Sequence, residues 1–506
     1  MIEFMREGLE VLILISLLMS LYLLVFMFRP ILLLRLPNKL KIPKTKITPE
    51  IDLFGSIFDV LKYNPRVLDA WIKKHQATFQ KKFQDKSTVN ERKDYVFFPI
   101  EINGLKFDDK LTLPSPFSET YGNRTLSLIW GEVGSGKTTF ACQLAKFWMN
   151  LKNNSLLPVL IENKIDYTGD GSKPIMDKIV AEIQELIDTE QMITDEVLIK
   201  KLLRKPRILL IVDGYSEMSS ETREKINLNA KDFPANALII VSRIEENFLG
   251  IDYTFKTVRC NGESLTDFIK RYFKNCGKWH LFEANQEEFL HECAQLERIF
   301  GKQNTITVLL AKFYAEKMIN SKENNLTLEG SLDNIPDLML NYLQNLNGKG
   351  EIETRSEYPT VTEDAQLIAW KCVEKNYRPS YYTERETVVK AFEGLGRDDG
   401  RLCLEYFEKH LGILKSIGYG ERQDRSQIRF TVEPLAEYLA ALYLVRENKD
   451  DEEKWQEFLA KVEEKLGHEE IQGFLLAVRD CCLVKGGEVQ VPSFVADEIG
   501  KLTNSY

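Results

Sequence analysis

Residues 125–150 read TLSLIWGEVGSGKTTFACQLAKFWMN. An apolar, strand-like run leads into a glycine-rich turn, and the turn opens a segment with helical periodicity. From Gly131 to Thr138 the turn matches G-x-x-x-x-G-K-[ST]. Gly131, Gly134 and Gly136 let the backbone turn tightly enough for successive N–H groups to point inward at phosphate oxygens. The N-terminus of the following helix adds its partial positive charge. Lys137 is placed to reach the β- and γ-phosphates, and the Thr138 hydroxyl to ligate Mg²⁺. The candidate binding residues are therefore Gly131, Glu132, Val133, Gly134, Ser135, Gly136, Lys137, Thr138 and Thr139. With glycine near 7% of residues, four fixed positions recur by accident in roughly one such chain in fifty, before the flanking strand and helix are required.

A second motif supports the first. RILLIVDGYSE carries an apolar run from Ile208 to Val212, with Asp213 at the carboxyl end. Open α/β sheets place their ligands at that end of their strands. Asp213 is expected to hold Mg²⁺ or its water, and Glu217 to orient or deprotonate an attacking water. Taken alone, a strand ending in Asp-Gly is as often just a turn. A further run, NALIIVSR, ends in Ser242 and Arg243 at the same edge, where a cation would stabilise γ-phosphate charge. The catalytic candidates are thus Lys137, Asp213, Glu217 and Arg243, and the metal ligands Thr138 and Asp213.

The order and spacing of GEVGSGKTT, LLIVDGYSE and IIVSR resemble the NACHT family of signal-transducing STAND NTPases. FTVEPLAEYLAAL (430–442) resembles the family's winged-helix motif, and together the likeness covers 126–445. The resemblance implies a nucleotide-binding domain, a helical domain and a winged helix that closes over ADP at rest, with exchange for ATP opening the module for self-association. It assigns phosphate and Mg²⁺ to Lys137 and Thr138, the metal to Asp213 and γ-phosphate sensing to Arg243. An N-terminal membrane helix ahead of such a module resembles bacterial members. Three positions depart from the family pattern: Ser216 stands where a second acid is usual, and Val432 where a histidine reaches the ADP phosphate. Thr305 or Ile306 stands where a proline packs near adenine.

The fold expected is an α/β P-loop NTPase, a parallel sheet with helices on both faces, followed by helical and winged-helix domains. Strands are expected at Leu126–Trp130, Leu157–Glu162, Ile208–Val212 and Ala237–Val241. Boundaries are expected at 121–262 for the NTPase domain, 263–348 for the helical domain and 360–446 for the winged helix. A short helical extension is expected over 451–506. LEYFEKHLGILKSIG (404–418) has helical spacing and reads as core packing, with His410 structural or exposed. Some 56 residues after the winged helix leave no room for a repeat solenoid.

The first thirty-five residues hold VLILISLLMSLYLLVFMF over 11–28, eighteen residues without a charge, just long enough to span a hydrocarbon core of about 30 Å. A buried core helix and a cleaved signal peptide are the rivals; Arg29-Pro30 replaces the small-residue site that cleavage needs. Arg29, Arg35, Lys39, Lys41, Lys44 and Lys46 follow the run, which puts the N-terminus outside and the body in the cytoplasm, with the basic stretch near lipid headgroups. Residues 36–120 read as a juxtamembrane linker and N-terminal region, helix-like over Ile51–Lys74 and strand-like or irregular over Val96–Pro114.

The 506 residues suggest about three domains, and 44% hydrophobic with 28% charged residues excludes a largely disordered chain. A net charge of −9 argues against a nucleic-acid-coating role, so no nucleic-acid partner is expected. Eight cysteines without CxxC spacing and five scattered histidines give no disulfide framework and no zinc site. The function expected is a membrane-anchored switch that binds ATP or ADP with Mg²⁺, hydrolyses slowly and self-associates when ATP-bound. The alternatives are a constitutive membrane-linked ATPase motor or a non-catalytic nucleotide-binding scaffold. No LSGGQ-like signature supports an ABC-type motor.

Overall fold

Ile208–Val212 (ILLIV) has no polar side chain, and such a strand is stable only where both its faces are covered. In the computed structural model all five of its residues are buried, in the interior of a seven-stranded sheet. The structure describes residues 19–36, 60–90, 96–107, 125–132, 134–150, 156–162, 174–187, 195–218, 235–299, 305–324, 334–348, 360–377, 383–397, 399–417, 427–464, 468–484 and 490–503, with isolated residues between. Contacts divide the chain into two units. The first is Met1–Tyr95, Ile100–Gly131 and Lys137–Thr257; the second is Val96–Pro99, Glu132–Gly136 and Val258–Tyr506.

In the first unit, helix α1 covers residues 19–28 and α2 covers Pro65–Asp85. The strands follow as β1 (Ile100–Ile102), β2 (Leu105–Phe107), β3 (Thr125–Trp130), β4 (Leu157–Ile161), β5 (Ile208–Val212), β6 (Ala237–Ser242) and β7 (Tyr253–Thr257). Helix α3 (Lys137–Met149) follows β3, and α4 (Pro174–Ile187) and α5 (Glu196–Arg204) lie between β4 and β5. The strand order is β2-β1-β7-β3-β6-β5-β4. β7, β3, β6, β5 and β4 run parallel, while β1 pairs antiparallel with both β2 and β7.

The sheet is therefore parallel-dominated but mixed, which corrects the expectation of a purely parallel one. The edge hairpin turns at Asn103-Gly104, both at positive φ (49° and 81°), the backbone a two-residue hairpin demands. All four expected strands are present within a residue of their ends; the hairpin falls in 96–114, which reads as strand-like or irregular, and β7 was not expected. Helix α2 opens on Asn64, whose side chain accepts from the Arg66 N–H, with Pro65 in the first turn. It buries Val67, Leu68, Trp71, Ile72, Phe79 and Phe83 at three- and four-residue spacing.

The apolar run at 11–28 is described over residues 19–28, which are helical, and at isolated positions before them. Among the described residues no helix is long and apolar enough to cross a membrane, so the expected single-pass anchor finds no support there. Most of residues 1–18, and the linker over 37–59, lie outside the described residues.

In the second unit, β8 (Cys260–Asn261) pairs antiparallel with β9 (Thr305–Ile306). Around them come α6 (Gly262–Asn275), α7 (Trp279–Ala284), α8 (Gln286–Ile299), α9 (Val308–Glu323) and α10 (Ile335–Gly348). Helix α11 (Val361–Val373) precedes β10 (Thr383–Glu384), α12 (Arg385–Gly394) and α13 (Gly400–Glu405), then β11 (Leu414–Ile417) and β12 (Gln427–Phe430). The three strands form an antiparallel sheet in the order β10-β12-β11. The 404–418 stretch is helical only to His410. Gly412, at φ 65°, turns the chain into β11, so helical spacing there concealed a strand. Helices α14 (Glu433–Asn448), α15 (Glu452–Glu463), α16 (His468–Cys482) and α17 (Ser493–Leu502) complete the unit.

Helix α14 is hydrophobic almost all round, with Leu435, Ala436, Leu439, Ala440, Ala441 and Leu444 buried, as a helix with neighbours on several sides requires. One of those neighbours is α16, and the approach depends on Gly473. A Cβ built there lies 2.8 Å from the Glu437 carboxyl carbon, and Glu437 is itself buried. Gly473→Ala is expected to cost about 1–3 kcal/mol, the usual overpacking penalty, seen as a lowered melting temperature of the full chain; Gly473→Val should cost more. An unchanged transition for both would mean that α16 gives way freely.

Candidate nucleotide-binding site

The phosphate loop starts where β3 ends at Trp130 and finishes where α3 begins at Lys137. Gly131, Gly134 and Gly136 have φ of 148°, 74° and 87°; the latter two are left-handed values that an L side chain rarely adopts. Ser135 fixes the turn, donating from both its amide (3.2 Å) and its hydroxyl (2.7 Å) to the Glu132 carbonyl. Val133 lies outside the described residues, while Thr139 is half-buried on the first turn of α3.

Asp213 follows β5, and its N–H donates to the Ile161 carbonyl at 2.9 Å. Gly214, at φ 68°, turns the chain away from the sheet. The Thr138 hydroxyl lies 3.2 Å and 3.0 Å from the two Asp213 carboxylate oxygens. The two expected metal ligands are thus brought together although 75 residues separate them. One hydroxyl and one carboxylate are hard oxygen donors, the set that suits Mg²⁺, which keeps several waters and takes its remaining ligands from phosphate. Among the described residues no group of three or more His, Cys, Asp or Glu could hold a metal ion.

β6 pairs with β3 on one side and β5 on the other, and so presents Ser242 and Arg243 between the loop strand and the Asp213 strand. Arg243 is half-buried, and its N–H donates to the Ser216 hydroxyl at 2.9 Å. Ser216, which stands where an acid was expected, thus accepts through its side-chain hydroxyl from the Arg243 backbone. Ser242 Oγ instead donates to Glu246 at 3.4 Å. Glu217 ends the short 3₁₀ turn Tyr215–Glu217, but its side chain lies outside the described residues. Burial pushes the Cys142 thiol in α3 up to about 12, and that of Cys260 likewise, which leaves neither suited to nucleophilic work.

Four contacts of the loop tip were not anticipated. The Phe98 ring lies 2.8 Å from where a Cβ on Gly136 would sit, so glycine is required there twice over, by φ and by space. The Leu309 N–H donates to the Gly134 carbonyl at 3.0 Å. A Cβ on Gly134 would meet Pro434 Cγ at 3.3 Å and Leu309 Cβ at 3.4 Å. Arg259 Nε donates to Glu132 at 2.7 Å, pairing the exposed acid of the loop. Of these, only the aromatic run VFFP at 96–99 carried a sequence signal: apolar bulk ahead of a strand-turn-helix motif. Val432, in place of the expected histidine, caps α14 without a side-chain hydrogen bond. Ile306 is buried in β9, whereas the side chain of Thr305 lies outside the described residues.

A glycine loop between strand and helix, with an acid-terminated strand one position beyond the neighbouring strand, defines a P-loop NTPase domain. Family comparison agrees: residues 125–254 match the NACHT domain, and residues 463–506 match NACHT C-terminal helical domain 4. No curated protein matches the chain. Among solved structures, Cdc6p from Pyrobaculum aerophilum aligns at 14% identity and a TM-score of 0.29, covering 64% of this chain and 88% of that one. The Orc1 protein of Aeropyrum pernix, solved in complex with DNA, aligns at 10% identity and a TM-score of 0.27, covering 62% and 86%.

Lys137→Ala is expected to weaken binding of Mg-ATP to the full chain about a hundredfold or more, as loss of a charge-assisted phosphate contact predicts. Isothermal titration calorimetry checks this, and equal affinity in both proteins would remove the site. Asp213→Asn should bind nucleotide in EDTA as the wild type does, yet lose the gain that Mg²⁺ brings; an unchanged Mg²⁺ response would dismiss Asp213 as a ligand.

Proposed function

We propose that the chain is a nucleotide-gated switch: it binds ATP or ADP with Mg²⁺ through the 131–139 loop, hydrolyses slowly, and self-associates according to the nucleotide held. The observation that carries this reading is the Leu309–Gly134–Pro434 contact. The loop carbonyl accepts from the first turn of α9, and a Cβ on Gly134 would lie 3.3 Å from Pro434 Cγ in the first turn of α14. A loop whose shape answers to phosphate is thereby tied to helices beyond the NTPase domain, which is what gating requires. The element order α11, β10, α12, α13, β11, β12 supports reading 360–446 as a winged helix. In this reading Pro434 takes over the resting contact that Val432, without a donor or acceptor, cannot make. In the switch Lys137 holds the terminal phosphates, Thr138 and Asp213 hold the metal, Arg243 senses the γ-phosphate and Glu217 activates water.

Ser216 favours a second reading, a scaffold that uses nucleotide only as a structural ligand. Its hydroxyl is engaged by the Arg243 N–H, so no second acid assists Glu217.

The size of the purified full chain, measured by light scattering with Mg-ADP and with a non-hydrolysable ATP analogue, is expected to differ. Identical mass in both states defeats the switch. Pro434→Asp should accelerate release of a fluorescent ADP analogue by about fivefold to a hundredfold, the span of ordinary coupling energies. Wild-type turnover at background, unchanged in Glu217→Ala, would select the scaffold instead.

A further inference from the structure

Helix α1 has two apolar faces and only one is covered. Tyr22 is buried with Leu33 and Val67, and Met19, Val25, Phe26, Leu34 and Leu36 pack against that cluster. The end of the helix is fastened: Arg66 Nη2 donates to the Met27 carbonyl at 2.6 Å, and its guanidinium lies 5.6 Å from the Phe26 ring centroid. On the other side Leu17, Leu21, Leu24 and Phe28 are 63%, 54%, 52% and 76% exposed, in line with Ile13 at 53%. Spacings of four, four, three and four residues put these five on one helical stripe. Exposed apolar patches of this kind mark an interaction surface.

We propose that this stripe seats the protein on an anionic lipid bilayer, with α1 lying in the plane of the interface instead of crossing it. A spanning helix needs about twenty residues, and whatever packs along it must share the hydrocarbon with it. Here Leu33, on the chain that folds back as Pro30–Arg35, and Val67 of α2 occupy one side. Carrying α1 through a bilayer would take the start of α2 with it, including Arg66 and the Lys62–Asp195 ion pair, a large penalty in hydrocarbon. An in-plane helix instead dips one face into the acyl boundary and can keep the other on protein, which suits one covered and one exposed face.

Charge selects the occupant. Residues 29–46 carry six Lys and Arg and no acid in a chain of net charge −9. Arg29, Arg35 and Arg66 are exposed near the carboxyl end of the helix. Each cation near an anionic surface strengthens attachment about fivefold, while the acidic remainder is repelled, so the molecule meets the membrane by this edge. A second copy of the chain would bring the same basic edge against itself.

The test floats the full chain with vesicles of phosphatidylcholine alone or mixed about 3:1 with phosphatidylglycerol. Flotation with the mixed vesicles only, falling at least about tenfold at high salt, supports the proposal. The triple variant Leu21→Glu, Leu24→Glu, Phe28→Glu should lose flotation at an unchanged melting temperature, since those side chains are exposed. Tyr22→Ala should lower the melting temperature. Fluorescent residues incorporated at 21, 24 and 28 should report similar depths by lipid-borne quenchers. A gradient approaching about 10 Å from 21 to 28, or resistance to alkaline extraction, means a spanning helix and overturns the in-plane reading. Absence of flotation, flotation of the triple variant, or a lipid-free dimer that the triple variant abolishes without any flotation overturns it as well.

Discussion

The first unit is organised by a topological constraint: β6 must lie between β3 and β5. Parallel strands in one sheet are joined by crossovers, so neighbours in space need not be neighbours in sequence. Inserting β6 sets the ends of β3 and β5 one strand apart at the carboxyl edge. Thr138, on the first turn of α3, comes within 3.2 Å of Asp213. With β5 directly beside β3, there would be no strand end between them to carry Arg243 at the same edge. The meeting of Thr138 with Asp213 and the place of Arg243 on the strand between them are thus consequences of one strand order, which the buried strands β5 and β6 hold in place.

The loop tip shows how glycine serves two demands at once. Gly134 and Gly136 are needed for left-handed backbone, but the space around them is also taken, by Pro434 and Leu309 at one and by Phe98 at the other. A phosphate-binding loop in isolation needs only the first property. Filling the space outside the loop makes its shape felt by residues far away in sequence, and the Leu309 N–H bond to the Gly134 carbonyl adds a directional contact. A backbone hydrogen bond of this kind is modest in net worth, on the order of 1 kcal/mol, so it suits a contact that is made and released.

What the sequence made legible follows from burial. The strands whose every residue is apolar announce themselves, and the motif glycines, Lys137, Thr138 and Asp213 carry their chemistry in their spacing. β7, YTFKT, was missed because it is only part buried and half polar. β1 and β2 are three residues each, too short for a period to decide, so 96–114 reads only as strand-like or irregular. The strand Leu414–Ile417 hid behind three- and four-residue apolar spacing that also fits a helix. Ser216 was read only as the lack of an acid, because its role as acceptor for Arg243 depends on two strand ends meeting in space. Contacts at the loop tip join residues up to 300 positions apart, and no local pattern encodes them.

The apolar run near the N-terminus was read by length and hydropathy alone, and those properties do not distinguish a helix immersed in lipid from one resting on it. Both need apolar residues on more than one side: the first because lipid surrounds it, the second because protein covers one face and acyl chains the other. The distinction lies in what packs against Tyr22 and Val25, which is tertiary information. Leu33 and Val67 supply it here. A helix that spends one face on its own protein has committed that face before any bilayer is met, and the charges beside Val67 cannot follow it into hydrocarbon. If the helix rests on a bilayer as proposed, the polybasic sequence after it acts by attraction to that surface and not by setting a direction of crossing.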